Sequence, residues 1–318
     1  MIEPVKKIVF FGNERLSSSP AYARAPIMEA LLDAGFEIEA LIIKNNETRS
    51  RKISRPAILD RAAAKDVNVV RVRTAGELRA AVGNLASKAA VLASFGMLLE
   101  GEIIERFPLG IVNVHPSLLP AHRGPTPIES AILSGDRETG VSLMKVVSEL
   151  DAGDVYAQNR LVIEKDESKL SLTERLGDLA AEMIVENLTL ILEQRLQPQP
   201  QNHDRATYSQ SIKPAPALKF EQHSAEYLCR HMRAFAGCPN NKFDLDGQTV
   251  EITSAKPADR PAGAESLVYD RSDGLLYARC RQGYLAIESL RPLSRNDMTA
   301  ADFVNGFSRQ LLNHPGNA

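Results

Sequence analysis

Short apolar runs alternate along the first half of the chain with stretches whose apolar residues recur every three or four positions. Residues 6–11 (KKIVFF), ended by Gly12, read as a first strand. Residues 25–34 (APIMEALLDA), closed by Gly35, have helical spacing and a glycine stop, and residues 36–43 (FEIEALII) form a second strand pattern. A helix that opens on proline (56–66), a strand (67–72) and another helix (75–85) follow. Residues 89–95 (AAVLASF) are continuously apolar, which suits a strand covered on both faces of a parallel sheet. Residues 111–115 predict a short strand, 126–133 a helix and 141–147 (VSLMKVV) a further strand. A long amphipathic helix over 170–196, started by Ser171-Leu172-Thr173-Glu174, completes this half. The repeated β-α-β order predicts an α/β fold with a Rossmann-like, mostly parallel sheet.

The pattern then changes. The polar, proline-rich run 197–201 (QPQPQ) marks a domain exit, and residues 204–220 read as a linker. A helix over 224–235 is followed by short strand patterns at 249–254, 267–269, 275–280 and 284–290, split by Asp-Gly or Gly turns, and by a closing helix within 294–312. Such spacing predicts a small antiparallel β-barrel, similar to an OB fold. Expected domains are thus 1–203 and 221–318.

Composition narrows the class. At 318 residues, 44% hydrophobic and 25% charged, the chain is an ordinary globular protein with room for two cores. Cys229, Cys238 and Cys280 are an odd number at spacings that fit neither a disulfide framework nor a zinc site, so reduced thiols and no metal are expected. The N-terminus runs directly into a strand pattern, and no apolar stretch reaches the roughly 18 residues of a membrane span, so a cytoplasmic monomer away from membranes is the simple expectation. Glycines are missing from the turn after Gly12, which argues against NAD or FAD. The net charge of −2 excludes a wholly basic surface but not local patches. One such patch is the stretch 44–55, with Lys44, Arg49, Arg51, Lys52 and Arg55 against a single acid, Glu47. It reads either as a solvated loop or as a phosphate grip.

Candidate chemistry gathers between Ile111 and Asp154. Alternation along the strand puts Asn113 and His115 on one side, about 6 to 7 Å apart. An amide that donates to a developing oxyanion and an imidazole that moves a proton suit attack on a carbonyl. Asp151, expected where the 141–147 strand delivers its end to the same sheet edge, would orient the imidazole. A structural cap and an ordinary turn are the plain alternatives for these residues. Phe95, Gly96 and Met97, at the exit of the apolar strand, either line a flat-ring pocket or fill the core. Arg123 either holds an anion or makes a structural salt bridge.

Asn113-Val114-His115, Ser117-Leu118-Leu119-Pro120, Arg123-Gly124-Pro125-Thr126-Pro127-Ile128, Thr139-Gly140-Val141 and Leu150-Asp151-Ala152-Gly153-Asp154 stand in one order at compatible spacing. In this the chain resembles the folate-dependent formyltransferases, most closely the branch that formylates initiator methionyl-tRNA. The resemblance implies Asn113, His115 and Asp151 as the catalytic triad. It further implies Ser117, Leu118, Leu119 and Pro120, with Phe95, Gly96 and Met97, as the seat of 10-formyltetrahydrofolate. It also implies Lys44, Arg49, Arg51 and Lys52 as tRNA contacts. Two stretches depart from the family pattern: residues 12–26 are longer and lack Thr-Pro after the glycine, and residues 233–239 (RAFAGCP) lack a tryptophan. The competing expectations are a formyltransferase acting on an amino-sugar nucleotide and an inactive tRNA-binding protein.

Overall fold

The computed structural model describes residues 6–14, 24–45, 57–209, 218–236, 241–245, 248–259, 266–293 and 295–307. The chain divides into two compact units, one of residues 1–131 and 136–211 and one of residues 132–135 and 212–318.

The first unit alternates strand and helix in the order β1 (Lys7–Phe11), α1 (Pro26–Asp33), β2 (Glu37–Lys44), α2 (Ala57–Ala64), β3 (Val69–Val72), α3 (Ala75–Gly83), β4 (Ala90–Leu92), α4 (Gly101–Glu105) and β5 (Ile111–His115). It continues with α5 (Pro127–Ser134), β6 (Glu138–Lys145), β7 (Val155–Val162) and α6 (Lys169–Leu192). The seven strands lie in the order β3-β2-β1-β4-β5-β6-β7. β1 to β5 pair in parallel, whereas β5–β6 and β6–β7 are antiparallel. The apolar runs of β1 and β4 are buried, and Phe11 packs edge-on against Phe95 and Phe107. Strand order turns back at the β1–β4 junction, the place where open α/β sheets take ligands beyond the strands' carboxyl ends.

Several boundaries differ from expectation for identifiable reasons. β4 stops at Leu92 because Ser94 and Gly96 adopt left-handed φ of 55° and 73°. α6 starts earlier than Ser171, since Ser168 and Ser171 form a reciprocal capping box. It ends before Leu196, since Gln194 is left-handed and the Leu190 carbonyl accepts from both Arg195 and Leu196. β7 carries no strong apolar alternation, being a sheet edge exposed over Gln158–Arg160, and its sequence pattern did not announce it.

The second unit holds α7 (Ala225–Ala234), β8 (Lys242–Leu245), β9 (Gln248–Ala258), β10 (Leu267–Asp270), β11 (Leu275–Arg279), β12 (Tyr284–Pro292), β13 (Met298–Thr299) and α8 (Ala300–Phe307). Its strands form one six-stranded antiparallel sheet, β10-β11-β12-β9-β8, with β13 also on β12. The core between sheet and helices includes Leu228, Val250, Ile252, Leu276, Ile287, Leu290 and Phe303. Cys280 lies in this core, where burial pushes its thiol up to about 11.

Candidate active site

β5 is an interior strand, flanked by β4 and β6 and buried at all five positions. That makes its two polar residues costly unless they find partners. Asn113 is opposite Leu92 on one side and Met144 on the other, and His115 is opposite Ser142. Both side chains emerge on the same face and meet the Asp151 carboxylate. Asn113 Nδ2 donates to Asp151 Oδ1 at 3.3 Å, and His115 Nδ1 lies 3.7 Å from Asp151 Oδ2. The second distance is too long for a formed hydrogen bond.

Asp151 does not arrive by the expected route. Because β6 runs antiparallel to β5, its last residue, Lys145, lies beside Val112, at the end of β5 away from His115. The chain returns through the β6–β7 connection instead, and Asp151, with φ of 49°, reaches Asn113 and His115 from there. Gly153 is required for this return: a Cβ at that position would overlap the Lys145 carbonyl oxygen.

The carboxylate is fixed before it meets the imidazole. Its Oδ2 accepts from the backbone amide of Gly124 at 2.7 Å. Gln201 donates to the carbonyls of Asp151 (2.9 Å) and Gly153 (2.7 Å). The Gln201 carbonyl accepts from Nε and Nη2 of the buried Arg123, whose Nη1 and Nη2 also reach the Tyr208 hydroxyl and His203 Nδ1. Arg123 is thus engaged by uncharged partners in the folded chain. Among the described residues its guanidinium meets no carboxylate, and it braces the Asp151 turn through the Gln201 amide. Gln201, read in the sequence only as part of a polar domain exit, is the residue that links them.

The loop after β5 is equally tied down. Ser117 Oγ donates to the Ala121 carbonyl at 2.6 Å, so this hydroxyl is committed within the loop. Ser142 donates to the Ser117 carbonyl and accepts from the Leu119 amide, and Gln158 donates to both Ser142 and the Leu119 carbonyl. Leu118 lies over Gly140, where a Cβ would collide with its side chain. Leu119 is buried, Leu118 and Pro120 are half-buried, and the Leu119–Pro120 peptide is cis. Of the strand-exit residues, Phe95 is core, packed with Phe11; Met97 packs partly against that core, and Gly96 is exposed. Lys44 donates its ammonium to the Gly96 carbonyl at 3.0 Å, so β2 and the β4 exit are joined at that point. Arg49, Arg51 and Lys52 lie outside the described residues, as do Arg55 and much of the 12–26 loop.

Past β1, Gly12 takes φ of 118° with no room for a Cβ against Ala93. Glu14, fully buried, then accepts from the amides of Ile27 (2.8 Å) and Met28 (2.7 Å). It caps α1 from a distance, because the N-cap residue Ala25 offers no side-chain acceptor. Burial pushes this carboxyl up to about 8, although the two amides pull it down. Among the described residues no cluster of His, Cys, Asp and Glu could hold a metal ion, and no helix is long and apolar enough to cross a membrane.

Asn113 and His115, on one face of β5, thus meet a carboxylate brought in by the β6–β7 connection, and the chain belongs to the formyl transferase family. Residues 8–188 match the formyl transferase model and residues 212–308 match the model of the formyl transferase C-terminal domain. Curated relatives named methionyl-tRNA formyltransferase include that of Pelobacter propionicus, 31% identical over 95% of this chain and 93% of the relative. That of a Roseiflexus species is 32% identical, covering 94% of this chain and 92% of the relative. Among solved structures, the N-formyltransferase of Helicobacter canadensis in complex with folinic acid and dTDP-3-aminofucose superposes with a TM-score of 0.65 at 16% identity, over 91% of this chain and 99% of that one. At that identity the likeness is one of fold.

Proposed function

We propose that this protein transfers the formyl group of 10-formyltetrahydrofolate to the α-amine of initiator methionyl-tRNA. The observation that carries the reading is the convergence of Asn113 and His115, from one face of β5, on the carboxylate of Asp151. The acceptor follows from the two full-length relatives at 31% and 32% identity, both named for methionyl-tRNA. An amino-sugar acceptor is favoured by likenesses of fold alone, such as that at 16% identity.

When bound, the folate supplies an electrophilic formyl carbon. The residues of this chain divide the remaining work. One hydrogen of the Asn113 amide is held by Asp151, leaving the other for the formyl oxygen as it gains negative charge. His115 takes the proton released by the attacking amine and returns it to the departing nitrogen. Asp151, held by Gly124 and Asn113, stabilises the imidazolium formed in between. The residues offered to a folate are the left-handed glycine turn at Gly96, the partly buried Met97 and the mostly apolar Leu118–Pro120 loop that follows β5. Phe95, packed on Phe11, backs the β4 exit from the core side. No metal is required by this division of roles.

Lys44, Arg49, Arg51 and Lys52 supply the positive charge for the tRNA backbone, and the C-terminal unit, entered through the 204–220 segment, adds further contacts. The test is a formylation assay that offers charged initiator tRNA, charged elongator tRNA and an amino-sugar nucleotide. Selective formylation of the initiator is expected, and turnover of the sugar nucleotide alone would overturn the acceptor.

A further inference from the structure

The imidazole of His115 has a second neighbour besides Asp151. Its Nε2 lies 3.1 Å from the backbone carbonyl oxygen of His122. A carbonyl only accepts, so the hydrogen in that contact is on Nε2, and a neutral ring carries no other N–H. Nδ1, which faces Asp151 at 3.7 Å, then bears the lone pair. The neighbour of one nitrogen thus fixes what the other can do.

Holding that carbonyl in place demands more than an ordinary turn. His122 has φ of 55°, a conformation that side chains with a Cβ rarely adopt. Three contacts over-determine it. Its ring Nε2 is 2.6 Å from Asp136 Oδ2, its amide donates to Thr207 Oγ1 at 2.8 Å, and the next amide, of Arg123, donates to the Thr207 carbonyl at 2.9 Å. Asp136 is itself anchored, its amide donating to the Ala131 carbonyl at the end of α5. The His122 ring is mostly buried, and its position is accounted for by Asp136 rather than by any group at the formyl-transfer site.

We propose that His122 is a positioning residue. Through the Asp136 contact it holds its own carbonyl on Nε2 of His115, selecting the tautomer in which Nδ1 is the proton-accepting atom. The amine proton goes to Nδ1, the product imidazolium donates Nε2–H to His122 and Nδ1–H to Asp151, and the proton leaves by the same nitrogen. This rests on the role of His115 proposed above.

The test uses the full chain with 15N-labelled histidine, the His115 signals being assigned by their loss in His115→Ala. Asp136→Ala removes the anchor, Asp136→Asn keeps an acceptor for the His122 ring, and His122→Asn tolerates the left-handed backbone while falling short of Asp136. In the wild type, His115 should show the Nε2–H tautomer. Asp136→Ala and His122→Asn should each shift it to a mixture and lower kcat about tenfold, with KM for both substrates within about twofold. Asp136→Asn should restore both readouts. An unchanged tautomer and unchanged kcat in either folded loss variant would overturn the proposal. Because the tautomer is read in the resting enzyme, it answers independently of turnover. Full activity in His115→Ala would instead defeat the catalytic role while leaving the positioning measurable.

Discussion

His115 and His231 are almost equally buried, at 4% and 2% exposure, one in each unit. Their surroundings differ in kind. His115 sits on an interior strand between a carboxylate and a backbone carbonyl, beside an amide on the same sheet face. His231 lies on α7 between aromatic rings, its centroid 4.6 Å from Phe235 and 6.4 Å from Tyr227. Burial alone therefore does not mark out the imidazole proposed to move a proton. What sets His115 apart is a carboxylate beside one ring nitrogen and a backbone carbonyl beside the other.

The sharpest way to break this contrast is to remove each ring in turn. Asn113→Ala and His115→Ala should each cost on the order of 100- to 1000-fold in formyl-transfer kcat, read by steady-state assay, with folding intact by circular dichroism. The next largest effect should come from the brace behind the carboxylate. Gln201→Ala strands the buried Arg123 guanidinium without its amide acceptor and frees the Asp151 turn. It should lower stability in urea titration by about 3 kcal/mol and reduce turnover with it.

A third, smaller effect concerns pH. The Glu14 carboxyl stands near 4.5 unperturbed and about 8 when folded, so the native state holds this proton more tightly than the unfolded chain. The resulting stabilisation is full below pH 4.5 and is lost as pH rises through about 8. Glu14→Gln, which cannot titrate, should flatten the decline in unfolding free energy across that window; an unchanged slope would contradict the assignment. Smallest of all, His231→Phe should leave kcat in the formylation assay unaltered, since a flat ring is kept among the aromatic neighbours Tyr227 and Phe235.

Much of this arrangement was legible in the sequence because the relevant signals are local. Continuous apolar runs marked β1 and β4, and Asn-x-His alternation put two polar groups on one face of a buried strand. Turn glycines and Asp-Gly pairs marked the strands of the second unit. What escaped reading was set by contacts distant in sequence. Gln201 and Arg123 are 78 residues apart, and Glu14 caps a helix whose own N-cap is alanine. The antiparallel direction of β6 also escaped, because an apolar strand reads the same either way. That direction decides how Asp151 reaches the site. Phe95 illustrates a different limit: an aromatic at a strand exit fits a pocket wall and a core equally well, and only its packing on Phe11 shows which side it serves.

The central claim is that His115 and Asp151 act as one device. A double-mutant cycle on kcat/KM with charged initiator tRNA, using His115→Ala, Asp151→Asn and the pair together, tests it most directly. The double variant should lose about as much as His115→Ala alone, because Asp151→Asn keeps an oxygen for the Asn113 amide and removes only the charge that acts on the ring. Losses that multiply, each variant contributing its full factor in the presence of the other, would contradict it.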